Sequence, residues 1–88
     1  MQDRGVEGIL REIVARHRRL RGAPLEHRQT LAGDLGFDSL AFLMLLTDLE
    51  QAFGLEFPVE RIDELQHLTF GDLVRLVGER VGAEAETT

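Results

Sequence analysis

Cysteine is absent from this chain of 88 residues, which removes disulfides, thiolate nucleophiles and sulfur-ligated metals together. Any thiol chemistry has to be imported. The absence accords with a reducing setting, and a cytoplasmic location is expected. No apolar run approaches the roughly 18 residues of a membrane span. Met1 to Gly5 is polar rather than a charged lead into an apolar signal core, so an unprocessed chain away from membranes is expected. Aromatic residues are sparse, at 6%, and none is interleaved with the cluster Arg16, Arg18, Arg19 and Arg21. That cluster therefore lacks the stacking groups of a nucleic-acid surface and reads as a solvated helix end, where arginine complements the negative end of the helix dipole.

A chain this short holds one domain, residues 1–88, with one modest core and too little mass to wall off a typical enzyme pocket. A non-catalytic protein is expected, and a monomer. The formal net charge is −6, unevenly spread. Residues 1–28 hold seven arginines against four acids, and residues 29–88 hold three arginines against twelve acids. An acidic surface repels nucleic-acid phosphate and favours basic docking surfaces on protein partners, steering encounter more than fixing affinity.

Periodicity predicts an all-α fold. Val6, Ile9, Leu10, Ile13, Val14 and Leu20 recur at helical spacing, placing a first helix over residues 4–20 that ends at Gly22 and Pro24. Residues 21–38 have no sustained period, but Leu25, Leu31, Leu35 and Phe37 punctuate them as in a long loop pinned onto a core. Phe42, Leu45, Leu46, Leu49 and Phe53 then form the buried stripe of a second helix, Ser39 to Phe53, with Asp38 as N-cap and Gly54 as stop. Leu55 and Phe57 anchor the exit, and a short third helix spans about Val59 to Gln66 with Ile62 and Leu65 inward. Thr69 and Asp72 make a capping box that opens a last helix to about Val81, with Phe70, Leu73, Val74, Val77 and Val81 inward. Residues 82–88 are expected to form a flexible tail beyond an ordered core of about 4–81. The sum is a four-helix bundle with three longer helices, one short third helix and a long first loop.

On the second helix Leu40, Leu43 and Met44 are apolar yet lie partly off the stripe, on a side continued by Thr47, Asp48 and Gln51. Leu40 and Met44 are expected to be exposed for docking, whereas Leu43 fits either a wide core face or a partner surface.

The segment Asp34-Leu35-Gly36-Phe37-Asp38-Ser39-Leu40 sets a serine at the seam between a Gly-containing turn and this helix. The motif and the helical pattern of residues 6–81 together resemble the acyl carrier proteins. That resemblance implies a carrier, acyl, aminoacyl or peptidyl, with 4′-phosphopantetheine attached to Ser39 by a phosphopantetheinyl transferase using coenzyme A and magnesium. Asp38 matches the family's preceding acid, implying a part in transferase recognition as well as the cap. Glu50 matches a typically acidic position late on the recognition helix, and Asp48 adds nearby charge. The implied partner surface is Leu40, Ala41, Leu43, Met44, Thr47, Asp48, Glu50 and Gln51. The implied partners are a loading enzyme, an acyltransferase, and a ketosynthase or condensation enzyme. A phosphodiester on Ser39 would lie at the positive end of the helix dipole, a favourable place for phosphate. Many fatty-acid carriers have acids early on this helix where Ala41 and Met44 stand here, and the segment after Pro58 looks longer than theirs. Both departures point away from fatty-acid synthesis, the alternative role, toward a stand-alone carrier in polyketide, nonribosomal-peptide or related specialised biosynthesis.

Other chemistries fit less well. A serine hydrolase would draw its base from His17, His27 or His67, but Gly36-Phe37-Asp38-Ser39-Leu40 lacks the last glycine of a G-x-S-x-G elbow. The histidines share no metal-ligand spacing, and Asp34, Asp38 and Asp48 do not fit a calcium loop. The remaining competitor is a helical adaptor in which Ser39 merely starts a helix or accepts phosphate.

Overall fold

The computed structural model describes residues 5–17 and 24–86. Within them lie α1 (Gly5–His17), α2 (Ser39–Phe53), α3 (Ile62–Gln66), entered through a 3-10 turn (Val59–Arg61), and α4 (Phe70–Glu86). The all-α bundle expected from periodicity is what forms. Arg4, Leu20 and Gly22, expected at the ends of the first helix, and Thr87 and Thr88 of the expected tail lie outside the described residues.

Each long helix buries one stripe. Leu10, Ile13 and Val14 of α1 meet Phe42, Leu45, Leu46 and Leu49 of α2 and Phe70, Leu73 and Val77 of α4. Burying a side chain of this size is worth about 1.5–3 kcal/mol, so these three stripes dominate the stability of the fold. Ile62, Val74 and Val81, assigned inward from spacing, are only half-buried and pack at the core's margin.

The long first loop is pinned as its leucines suggest. Leu31, Leu35 and Phe37 are buried, and Leu25 packs against the core. Backbone hydrogen bonds staple the loop to the corner between α3 and α4. Leu31 N donates to Leu68 O at 3.0 Å, Ala32 N to Gln66 O at 3.0 Å, and Phe70 N to Gln29 O at 2.8 Å. Gly71 N donates to His27 O at 2.8 Å. A Cβ at Gly71 would sit 3.1 Å from both His27 Cβ and His27 O, so a bare backbone is what lets α4 start against the loop.

A polar node fixes the other flank. Arg11 of α1 donates to Glu7 Oε2 at 2.7 and 3.0 Å and to Leu25 O at 2.7 Å, and its guanidinium lies over the Phe70 ring. His27 reaches the same Glu7 oxygen at 2.8 Å. The Arg11 and His27 hydrogen bonds hold the Glu7 carboxyl below its ordinary value.

The capping box at the head of α4 forms with aspartate in place of the usual longer acid. Asp72 N donates to Thr69 Oγ1 at 3.0 Å, and Thr69 N to Asp72 Oδ2 at 3.3 Å. Hydrogen bonds to the Asp72 carboxylate from the Thr69 backbone N–H first, and then from the Thr69 side chain, lower the Asp72 pKa. The helix then runs to Glu86 rather than stopping near Val81. Apolar spacing marks which face is buried, not how far a helix extends, and alanine and glutamate are both good helix formers, so Ala83 to Glu86 continue it.

Candidate functional site

The serine occupies the position that local signals demand. Gly36, with φ 77°, takes the left-handed turn that brings Leu35 and Phe37 into the core on either side of it. Upstream, Thr30 and Asp34 bracket each other: Thr30 N donates to Asp34 Oδ2 at 2.9 Å, and Asp34 N to Thr30 Oγ1 at 3.0 Å. Phe37 N donates to Leu31 O at 3.0 Å, and the Gln66 side-chain amide donates to Phe37 O at 3.4 Å. The residue before Asp38 is thus held through both of its backbone polar groups.

Asp38 is the N-cap of the 15-residue α2, with extended backbone, and its Oδ1 accepts from Ala41 N at 2.8 Å. Ser39 is therefore the first helical residue, and it is exposed. Among the described residues nothing hydrogen-bonds to its hydroxyl. It is also the one serine in the chain. At its far end α2 closes on Gly54, φ 69°, whose N–H bonds to Glu50 O.

The proposed partner face divides in two. Leu40, Leu43 and Met44 are 68%, 40% and 51% exposed, which settles Leu43 as surface rather than core. Thr47 and Gln51 are exposed beside them. Ala41 is half-buried and packs against the core. The two acids face elsewhere. Asp48 Oδ2 lies 2.6 Å from His17 Nε2 and 3.7 Å from Arg16 of α1. Glu50 Oε2 accepts from Phe57 N at 2.8 Å, bracing the loop after α2.

Among the described residues no histidine hydrogen-bonds to Ser39. His17 is hydrogen-bonded to Asp48 and His27 to Glu7, so both imidazoles serve contacts between elements. Among the described residues no group of three or more histidine, aspartate or glutamate side chains is arranged to hold a metal, and no helix is long and apolar enough to cross a membrane. A depression of about 410 Å³ lies between α3 and α4 over Phe57, Leu65, Leu68 and Leu76, and Ser39 does not line it. What the site offers is an exposed, unencumbered hydroxyl at the positive end of a helix dipole, next to a capping carboxylate and an aliphatic surface. Those features suit a covalent phosphodiester.

Comparison with known proteins gives the same picture. The profile of the family described as the phosphopantetheine attachment site matches residues 9–77. The chain is 32% identical over 74 residues to an acyl carrier protein of Phenylobacterium zucineum, covering 84% of this chain and 91% of that protein. It is 46% identical over 48 residues to part of a non-reducing polyketide synthase of Gibberella zeae, a match covering 54% of this chain but 2% of the synthase.

Proposed function

This chain belongs to the phosphopantetheine-attachment family, whose covalently bound group is 4′-phosphopantetheine, and we propose that its carrier function runs through Ser39. The observation that carries the reading is the Ser39 hydroxyl itself: exposed, engaged by no other described residue, and set at the first position of α2. When bound, the arm supplies the terminal thiol that this cysteine-free chain lacks, and so a place to hold an acyl or aminoacyl group as a thioester.

The chain's own residues do the presenting. Gly36 turns the backbone, the Thr30 and Asp34 bracket stiffens the approach, and Asp38 fixes the first turn so that Ser39 points outward. The first-turn amides and the helix dipole stabilise a phosphate monoanion at Ser39. Catalysis belongs to partners: a phosphopantetheinyl transferase to install the arm, a loading enzyme or acyltransferase to charge it, and a ketosynthase or condensation enzyme to consume the cargo. Leu40, Leu43, Met44, Thr47 and Gln51 form the face they meet.

The pathway proposed is polyketide, nonribosomal-peptide or related specialised biosynthesis. It is supported by the absence of acids at Ala41 and Met44 and by the similarity to a segment of a polyketide synthase. A role in fatty-acid synthesis is the second reading; the match along 91% of an acyl carrier protein supports a carrier in either pathway. Intact mass of the loaded form from the native host separates the two by its cargo.

The carrier reading is tested by incubating the purified protein with coenzyme A, magnesium and a promiscuous phosphopantetheinyl transferase. The protein should gain the mass of the arm. No gain with several such transferases would leave the helical adaptor in its place.

A further inference from the structure

We propose that the trough between α3 and α4 is a second docking surface, one that takes an acidic and aliphatic helical segment of a partner protein with its carboxylate on Arg80. The proposal holds whether or not Ser39 carries the arm.

The packing of the bundle leaves this trough open. α4 packs chiefly on α1 and α3 on α2, so α3 and α4 stay apart around the depression of about 410 Å³. Its floor is apolar: Phe57 and Leu65 are buried, and Leu68 and Leu76 are half-buried. No residue of α2 lines it, so the trough and the surface beside Ser39 belong to different elements. A partner seated here is not displaced by an enzyme that visits α2.

Charge selects the occupant. Arg61, Arg75 and Arg80 are the only arginines of residues 29–88, no lysine accompanies them, and all three line this trough. Glu64, Asp72 and Glu79 line it too, and the first two are matched. Arg61 Nε donates to Glu64 Oε1 at 2.9 Å, and Arg75 Nη1 to Asp72 Oδ1 at 3.3 Å. Arg80 is differently placed. Its Nη1 donates to Glu56 O at 3.3 Å, and its guanidinium lies over the Phe57 ring, 5.9 Å from the centroid. Among the described residues no acid forms an ion pair with it. A carbonyl and an aromatic face thus hold this cation beside an apolar floor, with N–H donors to spare, before any partner arrives. A basic partner meets acids along most of residues 29–88, so Glu79 does not single this place out for it. An acidic partner finds arginine within that stretch only here.

Length favours a protein segment over a small acid. From Asp72 to Arg80 the wall formed by α4 runs about 12 Å, at 1.5 Å rise per residue, which is two turns of a docked helix. Leu76 lies one turn before Arg80, so a helix that carries a leucine and a glutamate one turn apart meets both.

The test uses the full chain, isotope-labelled for amide chemical shifts, and three capped helical peptides of about twelve residues. All three carry leucines at i, i+4 and i+7, and they differ only in a glutamate, glutamine or lysine at i+11. Shifts should move in α3, α4 and Phe57, with the glutamate peptide bound about tenfold more tightly than the glutamine one and the lysine peptide weakest. Arg80→Gln should erase the preference for glutamate over glutamine, and Leu76→Gln should weaken all three peptides. Thermal melts check both variants; if Leu76→Gln does not fold, the loss of preference in Arg80→Gln decides. The proposal is overturned by equal binding of the three peptides, by a preference that survives Arg80→Gln, by shifts confined to α2, or by no shifts with the glutamate peptide at millimolar concentration. Octanoate moving the trough resonances while the peptides do not would give the trough to a free aliphatic acid instead. The same resonances moving as the parent alone is concentrated into a dimer would give it to a second copy, and either result contradicts the proposal.

Discussion

His17 Nε2 lies 2.6 Å from Asp48 Oδ2, tying the last residue of α1 to the third turn of α2 across 31 positions of sequence. Arg16 adds a longer contact to the same oxygen at 3.7 Å. An acid that motif comparison assigns to partner recognition is thereby occupied in holding two helices together. Asp48→Ala should destabilise the domain by roughly 1 kcal/mol, the partly exposed setting keeping the figure at the low end for a charge-assisted hydrogen bond. In a domain this size that corresponds to a melting temperature lower by about 4–8 °C, readable by circular dichroism.

Asp38 is a cap before it is anything else. Replacing it by alanine removes the acceptor for Ala41 N and should cost about 1 kcal/mol, whereas Asp38→Asn, which keeps an acceptor oxygen, should retain most of the stability. Chemical denaturation of the three proteins side by side provides the check, with the midpoint moving at constant slope.

Acid should loosen the first loop. Glu7 is held below its ordinary value of 4.5 by Arg11 and His27, and Asp72 below 3.8 by Thr69, so both carboxylates are bound more favourably in the folded state. Their contribution is fully present above those ordinary values and is lost as pH falls through the lowered folded ones. Stability measured downward from pH 5 should therefore decline, and the decline should be shallower in Glu7→Gln and in Asp72→Asn.

The two sides of α2 should respond oppositely to truncation. Leu45 is fully buried, and Leu45→Ala should cost about 2–5 kcal/mol through lost transfer energy and a cavity. Met44, one residue earlier and half exposed, should tolerate alanine within about 0.5 kcal/mol. Equal destabilisation in thermal melts would put Met44 in the core.

The extent of α2 was legible before any coordinates because its signals are local. The Asp38 cap, the stripe from Phe42 to Phe53 and the Gly54 stop lie next to what they control. The same holds for the Thr69 and Asp72 capping box. Sidedness was legible only as a direction: spacing placed Leu40 and Met44 outward, but Leu43 lies nearer the boundary and needed the neighbouring elements to decide it. The occupations of Asp48 and Glu50 were not legible, since helical periodicity says where a carboxylate points and not what waits there. Their partners are an imidazole on another helix and an amide beyond the helix end. The reach of α4 to Glu86 was missed for a related reason, because its last turn is marked by helix propensity rather than by an apolar stripe.

Attachment of the arm at Ser39 is read by intact-protein and fragment mass spectrometry on the parent and on Ser39→Ala after treatment with coenzyme A, magnesium and a promiscuous phosphopantetheinyl transferase. The prediction is one added arm on the parent, located by fragmentation at Ser39, and none on the variant, with both proteins giving the same helical spectrum. An arm still added to Ser39→Ala, or one located at a threonine in the parent, would contradict it.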